Sequence, residues 1–426
     1  MARPVKNTLL CPHCWQEISV ADLLFISESP ELFGDVKLGS NAQARFLPVR
    51  FDQYGNALDT KNTPCRKTAC PNCHLPIPRV LLKEPEFVLS IAGAPASGKS
   101  FYLTALTWQL RRTLTKDFML NFTDADTEMN RRIISYESTL FMADSSNELV
   151  SIEKTDITGN IYNTSLINGN SVQFAQPFIF EIAPTKEHPL PNKRNSQAVF
   201  IYDNAGEHFL PGADSLLQPV TRHLVNSDAV LFLFDPTQDA RFQQAVVRKS
   251  DNLRRDKSIA NSATIPPENN VRKSPVRQET VLTELINRFR LLNRTEKFKK
   301  PFVIVLTKYD AWKQLLEFPK MVNPWKQASN VPISAYNFER VEEYSKILRK
   351  LLLDLIPDFV SMSESFADNV SYIAVSATGQ APIKDEKTGM FGYRSGDIRP
   401  FWVEVPFFHA QVLAGKETIL AGKKNK

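Results

Sequence analysis

The chain has 426 residues, of which 42% are hydrophobic and 23% charged, and its formal net charge at pH 7 is +6. This composition is ordinary for a globular protein, and the length allows about two or three domains. No apolar stretch reaches the roughly 18 residues that a membrane-spanning helix needs, and the first residues contain no apolar signal-peptide segment. We therefore expect a cytoplasmic protein without a membrane partner.

All five cysteines lie near the N-terminus, at Cys11, Cys14, Cys65, Cys70 and Cys73. Four of them form two C-P-x-C turns, and each such turn can direct two thiolates at one metal ion. Together the turns, at Cys11 with Cys14 and at Cys70 with Cys73, supply the four sulfur ligands of a closed, structural zinc site. Residues 1–82 therefore resemble a zinc ribbon, in which strand-like segments such as 45–52 fill the long gap between the turns.

The same cysteines could instead form disulfide bonds or be unrelated buried thiols. A cytosolic location disfavours disulfides, and two C-P-x-C turns seldom occur together by chance. Cys65 has no second thiol at the same spacing. We expect Cys65, His13 and His74 to lie outside the metal site.

A phosphate-binding loop follows. Residues 93–100 read G-x-x-x-x-G-K-S, between an apolar strand-like run at 87–92 and a helix-like segment at 101–110. Such a loop wraps the phosphates, places a helix N-terminus at the anion, and offers a lysine to the β- and γ-phosphates and a hydroxyl to Mg²⁺. The residues assigned to the nucleotide are Gly93, Ser97, Gly98, Lys99 and Ser100, with Ser100 also a magnesium ligand.

Strands and helices alternate along the rest of the chain. Strand-like segments cover 118–122, 177–182, 198–203, 231–236, 301–306 and 370–375, and helix-like segments cover 127–141, 280–292 and 337–355. This alternation predicts an α/β fold with a doubly wound, mainly parallel sheet and the nucleotide at the carboxyl ends of its strands. We assign residues 85–415 to this domain, residues 249–278 to a mobile loop inside it, and residues 416–426 to a basic tail.

One of these strands ends in a candidate magnesium ligand. Asp203 closes the strand-like segment 198–203, and Gly206 completes a D-x-x-G motif. A carboxylate at this edge of a parallel sheet lies beside the phosphate loop and can hold Mg²⁺, through a water molecule. The glycine can bring its backbone N–H to the γ-phosphate without obstruction from a side chain.

Two later motifs indicate which base the bound nucleotide carries. A strand leads into the T-K-x-D motif of Thr307, Lys308 and Asp310, and the last strand leads into Ser376 and Ala377. With the earlier motifs in this order, the chain resembles the Ras-like branch of translation-factor-related P-loop GTPases. The resemblance implies that Asp310 accepts hydrogen bonds from guanine N1 and N2, that the stem of Lys308 lies along the ring, and that the N–H of Ala377 meets guanine O6. Adenine lacks those two donors, so ATP would leave the carboxylate unpaired.

The chain departs from that family at three positions. Thr307 stands where Asn is commoner, and Glu207 replaces the usual Gln that orients water. A negative charge beside the γ-phosphate is repulsive, so we expect slow hydrolysis or a partner that supplies an arginine; the sequence alone identifies no internal one. The threonine that closes over Mg²⁺ is not fixed by the sequence, and Thr155 and Thr158 are its candidates. The residues assigned to catalysis are Lys99, Glu207 and Thr155.

Positive charge is concentrated in residues 241–300, which contain 15 Lys and Arg against 6 Asp and Glu. Such a segment can contact nucleic acid, anionic lipid or an acidic partner. It can equally be a solvated loop with a charged helix face.

These observations favour a GTP-binding regulatory switch with Mg²⁺-dependent hydrolysis and with regulatory or effector proteins as partners. The ribbon fusion resembles bacterial GTPases of the double-GTPase type in conflict systems. Three alternatives remain open. They are an ATPase of another P-loop class, a nucleic-acid-associated NTPase that uses the basic segment, and a scaffold that binds nucleotide without hydrolysing it.

Overall fold

The fold is taken from a computed structural model of the chain. It describes residues 6–152, 162–189, 195–203, 222–256, 277–293, 297–316, 322–385 and 389–421. None of the helices in these ranges is both long enough and apolar enough to cross a membrane.

A seven-stranded sheet forms the centre of the molecule. Its strands, in chain order, are β1 (Glu86–Gly93), β2 (Leu120–Asp124), β3 (Phe178–Pro184), β4 (Gln197–Asp203), β5 (Ala229–Phe234), β6 (Phe298–Leu306) and β7 (Ala367–Ala374). Their spatial order is β2-β3-β4-β1-β5-β6-β7. The five strands from β4 to β7 run parallel, whereas β2 and β3 pair antiparallel at one edge. The predicted mainly parallel sheet is therefore confirmed.

Helices cover both faces of this sheet. They are α1 (Lys99–Phe118), α2 (Arg131–Phe141), α3 (Arg222–Asn226), α4 (Ala240–Asp256), α5 (Gln278–Asn293), α6 (Tyr309–Trp312), α7 (Phe338–Leu355), α8 (Pro357–Phe366) and α9 (Val405–Leu413). Buried residues of α1 and α9 share one hydrophobic core with the sheet, and those of α5 and α8 share another. Because successive residues of a strand point to opposite faces, the apolar runs of the parallel strands supply both cores.

The N-terminal module is a set of short strands around the cysteine turns. They span Thr8–Leu10, Glu17–Ser19, Leu24–Ile26, Phe33–Asp35, Gly39–Gln43, Arg45–Phe46, Ala57–Leu58, Pro64–Cys65, Thr68–Ala69 and Pro76–Ile77. Apolar residues of this module join Val88 of β1 and Phe200 and Tyr202 of β4 in a third buried core. The module is thus packed directly on the central sheet.

Further short strands lie in the connections. They span Leu149–Val150, Tyr162–Ile167, Asn170–Ala175, Trp325–Gln327, Ser334–Tyr336, Ile383–Lys384 and Phe391–Arg394. Leu149–Val150 pairs with Phe391–Arg394, so the connection after α2 meets the one after β7.

Several predicted boundaries move by a few residues. The strand predicted at 118–122 occupies Leu120–Asp124, because α1 continues to Phe118 and stops at Met119 in a left-handed conformation. The loop predicted at 249–278 begins later, since α4 continues to Asp256; residues 257–276 lie outside the described part of the chain. Within the predicted basic tail, 416–426, Ile419 is buried, and residues 422–426 lie outside the described part of the chain.

Candidate functional site

The phosphate loop joins β1 to α1 with the backbone that its glycines permit. Gly93 has φ +151°, and Gly98 has φ +92° immediately before the helix starts at Lys99. The Lys99 ammonium donates to the carbonyl oxygens of Gly93 and Ala94, at 2.9 and 2.8 Å. Its charge is thereby held over the loop and the N-terminus of α1, where anions bind.

Gly93 has no room for a side chain. A Cβ atom there would lie 2.6 Å from the Leu233 carbonyl oxygen of β5. We expect Gly93→Ala to lower the free energy of unfolding by about 3 kcal/mol or more and to weaken nucleotide binding. The matched control is Gly415→Ala, whose φ is +70° with no atom within 4 Å of the added Cβ, and which costs about 1 kcal/mol. Equal losses in urea unfolding of the two variants would contradict this account.

Asp203 ends β4 next to this loop. It is the register partner of Ile91 on the parallel strand β1, and it is buried. Burial raises the pKa of its carboxyl group, while the charges of Arg132 and Lys99 act in the opposite direction. A carboxylate at this edge is a suitable ligand for Mg²⁺, and the two cations beside it are suitable partners for phosphate.

The T-K-x-D segment is tied to the phosphate loop. The hydroxyl of Thr307 donates to the carbonyl oxygen of Ser97 at 3.1 Å, and the indole N–H of Trp312 donates to the Thr307 carbonyl at 2.8 Å. Thr307 therefore links the T-K-x-D segment to the phosphate loop.

Lys308 is oriented by its backbone and by a buried carboxylate. Its φ and ψ are 54° and 40°, in the left-handed region, and its ammonium lies 2.5 Å from Asp235 Oδ2. Asp235 follows β5 and is fully buried. The sequence motifs assigned no role to Asp235, although its place after an apolar strand parallel to β4 is the same signal that identified Asp203.

Asp310 and Ser376 lie together, as their proposed shared ligand requires. The Ser376 hydroxyl donates to Asp310 Oδ1, and the N–H of Gly379 donates to the Ser376 oxygen at 2.8 Å. The carboxylate is thus fixed by the loop after β7, where Ala377 follows directly. These contacts bring the two predicted base-binding motifs to one place.

An aromatic pair close to the loop after β7 was not predicted from the sequence. The rings of Tyr393 and Phe101 lie 5.3 Å apart. Burial raises the pKa of Tyr393 to about 12, while a hydrogen bond with Thr378 acts in the opposite direction. Tyr393 therefore contacts the loop that carries Ser376 and Ala377. It belongs to a connection without any motif, so no sequence signal could have located it.

Four cysteines form a candidate metal centre, with their sulfur atoms all within 4.8 Å of one another. The sulfurs of Cys11 and Cys73 are 3.8 Å apart, and those of Cys14 and Cys70 are 3.7 Å apart. A tetrahedral zinc site with Zn–S bonds of about 2.3 Å has sulfurs separated by about 3.8 Å. The predicted cysteine cluster is confirmed, and its spacing fits zinc.

The two turns repeat the same local geometry. Trp15 and His74, which follow the second cysteine of each turn, both have φ +59°. The N–H of His13 points at the Cys11 sulfur at 3.4 Å, and that of Asn72 at the Cys70 sulfur at 3.3 Å. Backbone donors directed at sulfur stabilise thiolates, as a metal site requires.

The three expected bystanders lie outside this cluster. Cys65 donates to the Thr63 carbonyl at 3.2 Å, and a ring nitrogen of His74 lies 2.8 Å from Asp35. Nε2 of His13 lies 3.1 Å from the Pro76 carbonyl. That they take no part in metal binding stays a prediction.

The metal centre is fastened to the strand that carries Asp203. The hydroxyl of Tyr202 donates to the Pro12 carbonyl, inside the first cysteine turn, at 2.5 Å. On the second turn, the Cys73 carbonyl accepts from Ser165 at 2.8 Å. Each turn therefore contacts a residue that is within about ten positions of a residue predicted to lie at the γ-phosphate or over Mg²⁺.

His223 packs against the same tyrosine, with ring centroids 4.8 Å apart and planes at 3°. Burial lowers its pKa from 6.5 to about 3. The unfolded chain thus takes up a proton near pH 6.5 that the folded chain does not bind, so this group stabilises above pH 6.5 and loses that contribution as pH falls towards 3. We expect His223→Gln to remove a slope of up to about 1.4 kcal/mol per pH unit, measured by urea unfolding between pH 6.5 and 4.5. Identical slopes in both proteins would contradict it.

Four predicted residues cannot be placed. Gly206 and Glu207, and the two switch candidates Thr155 and Thr158, lie outside the described residues. Their roles stay predictions.

Neither a family model nor a curated protein matches this chain. Among solved structures, the GTP-bound GTPase-like domain of Ski7 from S. cerevisiae is 12% identical, with a TM-score of 0.24, over 69% of this chain and 43% of that chain. The signal recognition particle receptor SRb-GTP/SRX complex from Chaetomium thermophilum is 13% identical, with a TM-score of 0.22, over 69% and 94%. The chain spans less than half of the Ski7 chain. With TM-scores this low, neither similarity supports a statement about activity.

Proposed function

We propose that this chain is a guanine-nucleotide-binding switch, which binds GTP and GDP with Mg²⁺ and hydrolyses GTP. The proposal rests on one observation: the phosphate loop, the T-K-x-D segment and the loop after β7 contact one another at one edge of the sheet. Thr307 bonds to the phosphate loop through Ser97, and three residues later Asp310 is held by Ser376. An ATPase of another class has no need for a fixed carboxylate there.

Each predicted residue then has a physical task. When nucleotide binds, the Lys99 ammonium would donate to the β- and γ-phosphates instead of to the carbonyl oxygens of the loop. Ser100 and Asp203 would hold Mg²⁺, which would neutralise phosphate charge. Asp310 accepts from guanine N1 and N2, and Ala377 donates to O6. Gly206 and Glu207 contribute at the γ-phosphate, as does a switch threonine, Thr155 or Thr158.

We also propose that the four-cysteine cluster holds zinc. A site closed by four sulfurs has no open position for substrate or water. Zinc therefore serves structure here, and the GTPase chemistry belongs to the other site.

The switch function predicts protein partners that distinguish the GTP-bound from the GDP-bound form. The nucleic-acid alternative has less support, because two arginines in the described part of the basic segment are paired within the chain. Arg241 lies 2.6 Å from Asp239, and Arg288 lies 2.9 Å from Glu284. A role in bacterial conflict systems stays a prediction from the resemblance alone. A cytoplasmic location stays a prediction from the sequence.

Lys99→Ala tests the phosphate assignment. We expect it to weaken binding of fluorescent GDP and GTP at least about 100-fold, because it removes a charge-assisted contact to the phosphates. The matched control is Lys116→Ala, an exposed lysine in the last turn of the same helix, which we expect to bind normally. Unchanged binding by Lys99→Ala would exclude this site, and persistent GTP without turnover in the wild type would favour the scaffold alternative.

A further inference from the structure

Arg132 brings a second positive side chain to the phosphate side of the site. It is the second residue of α2, and its Nη2 lies 3.7 Å from Oδ2 of Asp203. The side chain is 22% exposed, whereas that of Asp203 is 5% exposed. The guanidinium is therefore more exposed than the carboxylate that it contacts, and that carboxylate ends β4, the strand next to β1 and its phosphate loop.

The start of α2 is fixed firmly to the sheet. The buried side chain of Asn130 donates to the Ile179 carbonyl and to Asp124 Oδ1, both at 2.8 Å, and accepts from the Ile179 N–H at 2.8 Å. The Arg132 guanidinium lies over the ring of Phe178, 4.9 Å from its centroid. A cation held this way loses little conformational entropy when it meets an anion.

Asp203 is not a sufficient partner for this arginine once nucleotide binds. Mg²⁺ then takes up the negative charge of Asp203, and two cations on one carboxylate repel each other. The phosphates on the loop become the anion available to the guanidinium, whose planar donors suit phosphate oxygens.

We propose that Arg132 is an internal arginine for GTP hydrolysis, directed at the γ-phosphate; this inference rests on the proposed function. The water oxygen bonds to the γ-phosphorus while the bond to the β–γ bridging oxygen breaks. The electron pair of that bond stays on GDP, and the proton of the water passes to the released phosphate. Arg132 donates to the oxygens on which charge develops. The partner arginine expected from the sequence is then unnecessary.

The test is single-turnover hydrolysis of Mg²⁺·GTP by the full chain, with variants Arg132→Ala and Arg132→Lys. We expect Arg132→Ala to slow hydrolysis about 100-fold or more while the Kd for GTP changes less than about fivefold. Lysine should restore little, because it lacks the planar fork. The matched control is Arg131→Ala, the exposed neighbour on the same helix, with the wild-type rate.

Capture of GDP with aluminium fluoride gives a second readout that a merely structural arginine would not change. We expect the wild type and Arg131→Ala to form this complex, and Arg132→Ala to fail while still binding GDP. If Arg132→Ala hydrolyses GTP at the wild-type rate, or the wild type binds GTP without measurable hydrolysis, the arginine proposal is wrong and the binding function stands. If the wild type does not bind GTP, both the arginine proposal and the proposed nucleotide-binding function are wrong.

Discussion

Replacing Asp310 with asparagine is expected to weaken GTP binding at least about 100-fold and to admit xanthine nucleotides. In the proposed complex the carboxylate would accept from two N–H groups of guanine, whereas an amide would present its own N–H₂ to one of them and leave a buried donor unpaired. Xanthine carries an oxygen at C2, which the amide can satisfy. Because Ser376 donates to Oδ1 of Asp310, and an amide oxygen still accepts there, the loop after β7 should keep its structure.

Equilibrium competition measures this change of base preference. A fluorescent guanine nucleotide is bound to the wild type, or a fluorescent xanthine nucleotide to the variant, and the affinities of GTP, XTP and ATP are measured from how well each displaces it. The matched control is Asp358→Asn, which also changes a carboxylate in the first turn of a helix but at an exposed position. It should keep the guanine preference. If Asp310→Asn keeps the wild-type order of affinities, Asp310 does not read the base.

Loss of the metal is expected to unfold the N-terminal module. Structural zinc contributes about 10–16 kcal/mol to small zinc domains, which is as much as the whole stability of most proteins. Cys70→Ser should therefore lose its zinc and expose the module to proteolysis. Zinc content by mass spectrometry and limited proteolysis measure the two effects.

The fifth cysteine is the natural control for this experiment. Cys65 is buried like the other four but lies outside their cluster, so Cys65→Ser should keep one zinc ion per chain. Loss of zinc from Cys65→Ser, or retention in Cys70→Ser, would contradict the assigned ligand set.

Loss of the metal should also weaken nucleotide binding. Tyr202 immediately precedes Asp203, and its hydroxyl bonds to Pro12 between two of the cysteines. Its ring also lies 5.5 Å from that of Trp15, at the end of the same turn. Unfolding the module would expose Tyr202 and loosen the end of β4. We therefore expect weaker Mg²⁺-dependent GTP binding in Cys70→Ser than in Cys65→Ser.

Local patterns predicted most of the central fold. The phosphate loop, its strand and its helix are specified by neighbouring residues, so the sequence predicted a helix from residue 101, two residues after its observed start at Lys99. The four cysteines of the candidate metal centre could also be predicted from the sequence, because each turn is a local motif and only its pairing with the other turn is distant.

Boundaries that depend on less common backbone geometry were predicted less well. Helix α1 ends through Met119 at φ 53°, where a glycine would have marked the stop. The helix predicted from Thr127 begins at Arg131, because Asp126 first accepts from the N–H groups of Glu128 and Met129 in a turn. Aspartate offers this alternative to the helical backbone.

Long-range contacts could not be predicted from the sequence. Arg132 reaches Asp203 only because Asn130 fixes α2 to β3, and Tyr393 contacts Thr378 only through the connection after β7. Neither residue belongs to a motif. The contact between Tyr202 and the cysteine turn is likewise set by the packing of two modules.

Guanine-nucleotide binding by the wild-type chain is the central claim, and one equilibrium measurement tests it most directly. A fluorescent GDP is bound to the purified protein with Mg²⁺ and displaced by unlabelled GTP or ATP. The structure around Asp310 and Ser376 predicts that GTP displaces it at a concentration at least about 100-fold lower than ATP. Equal displacement by ATP, or no binding of the fluorescent nucleotide, would contradict the claim.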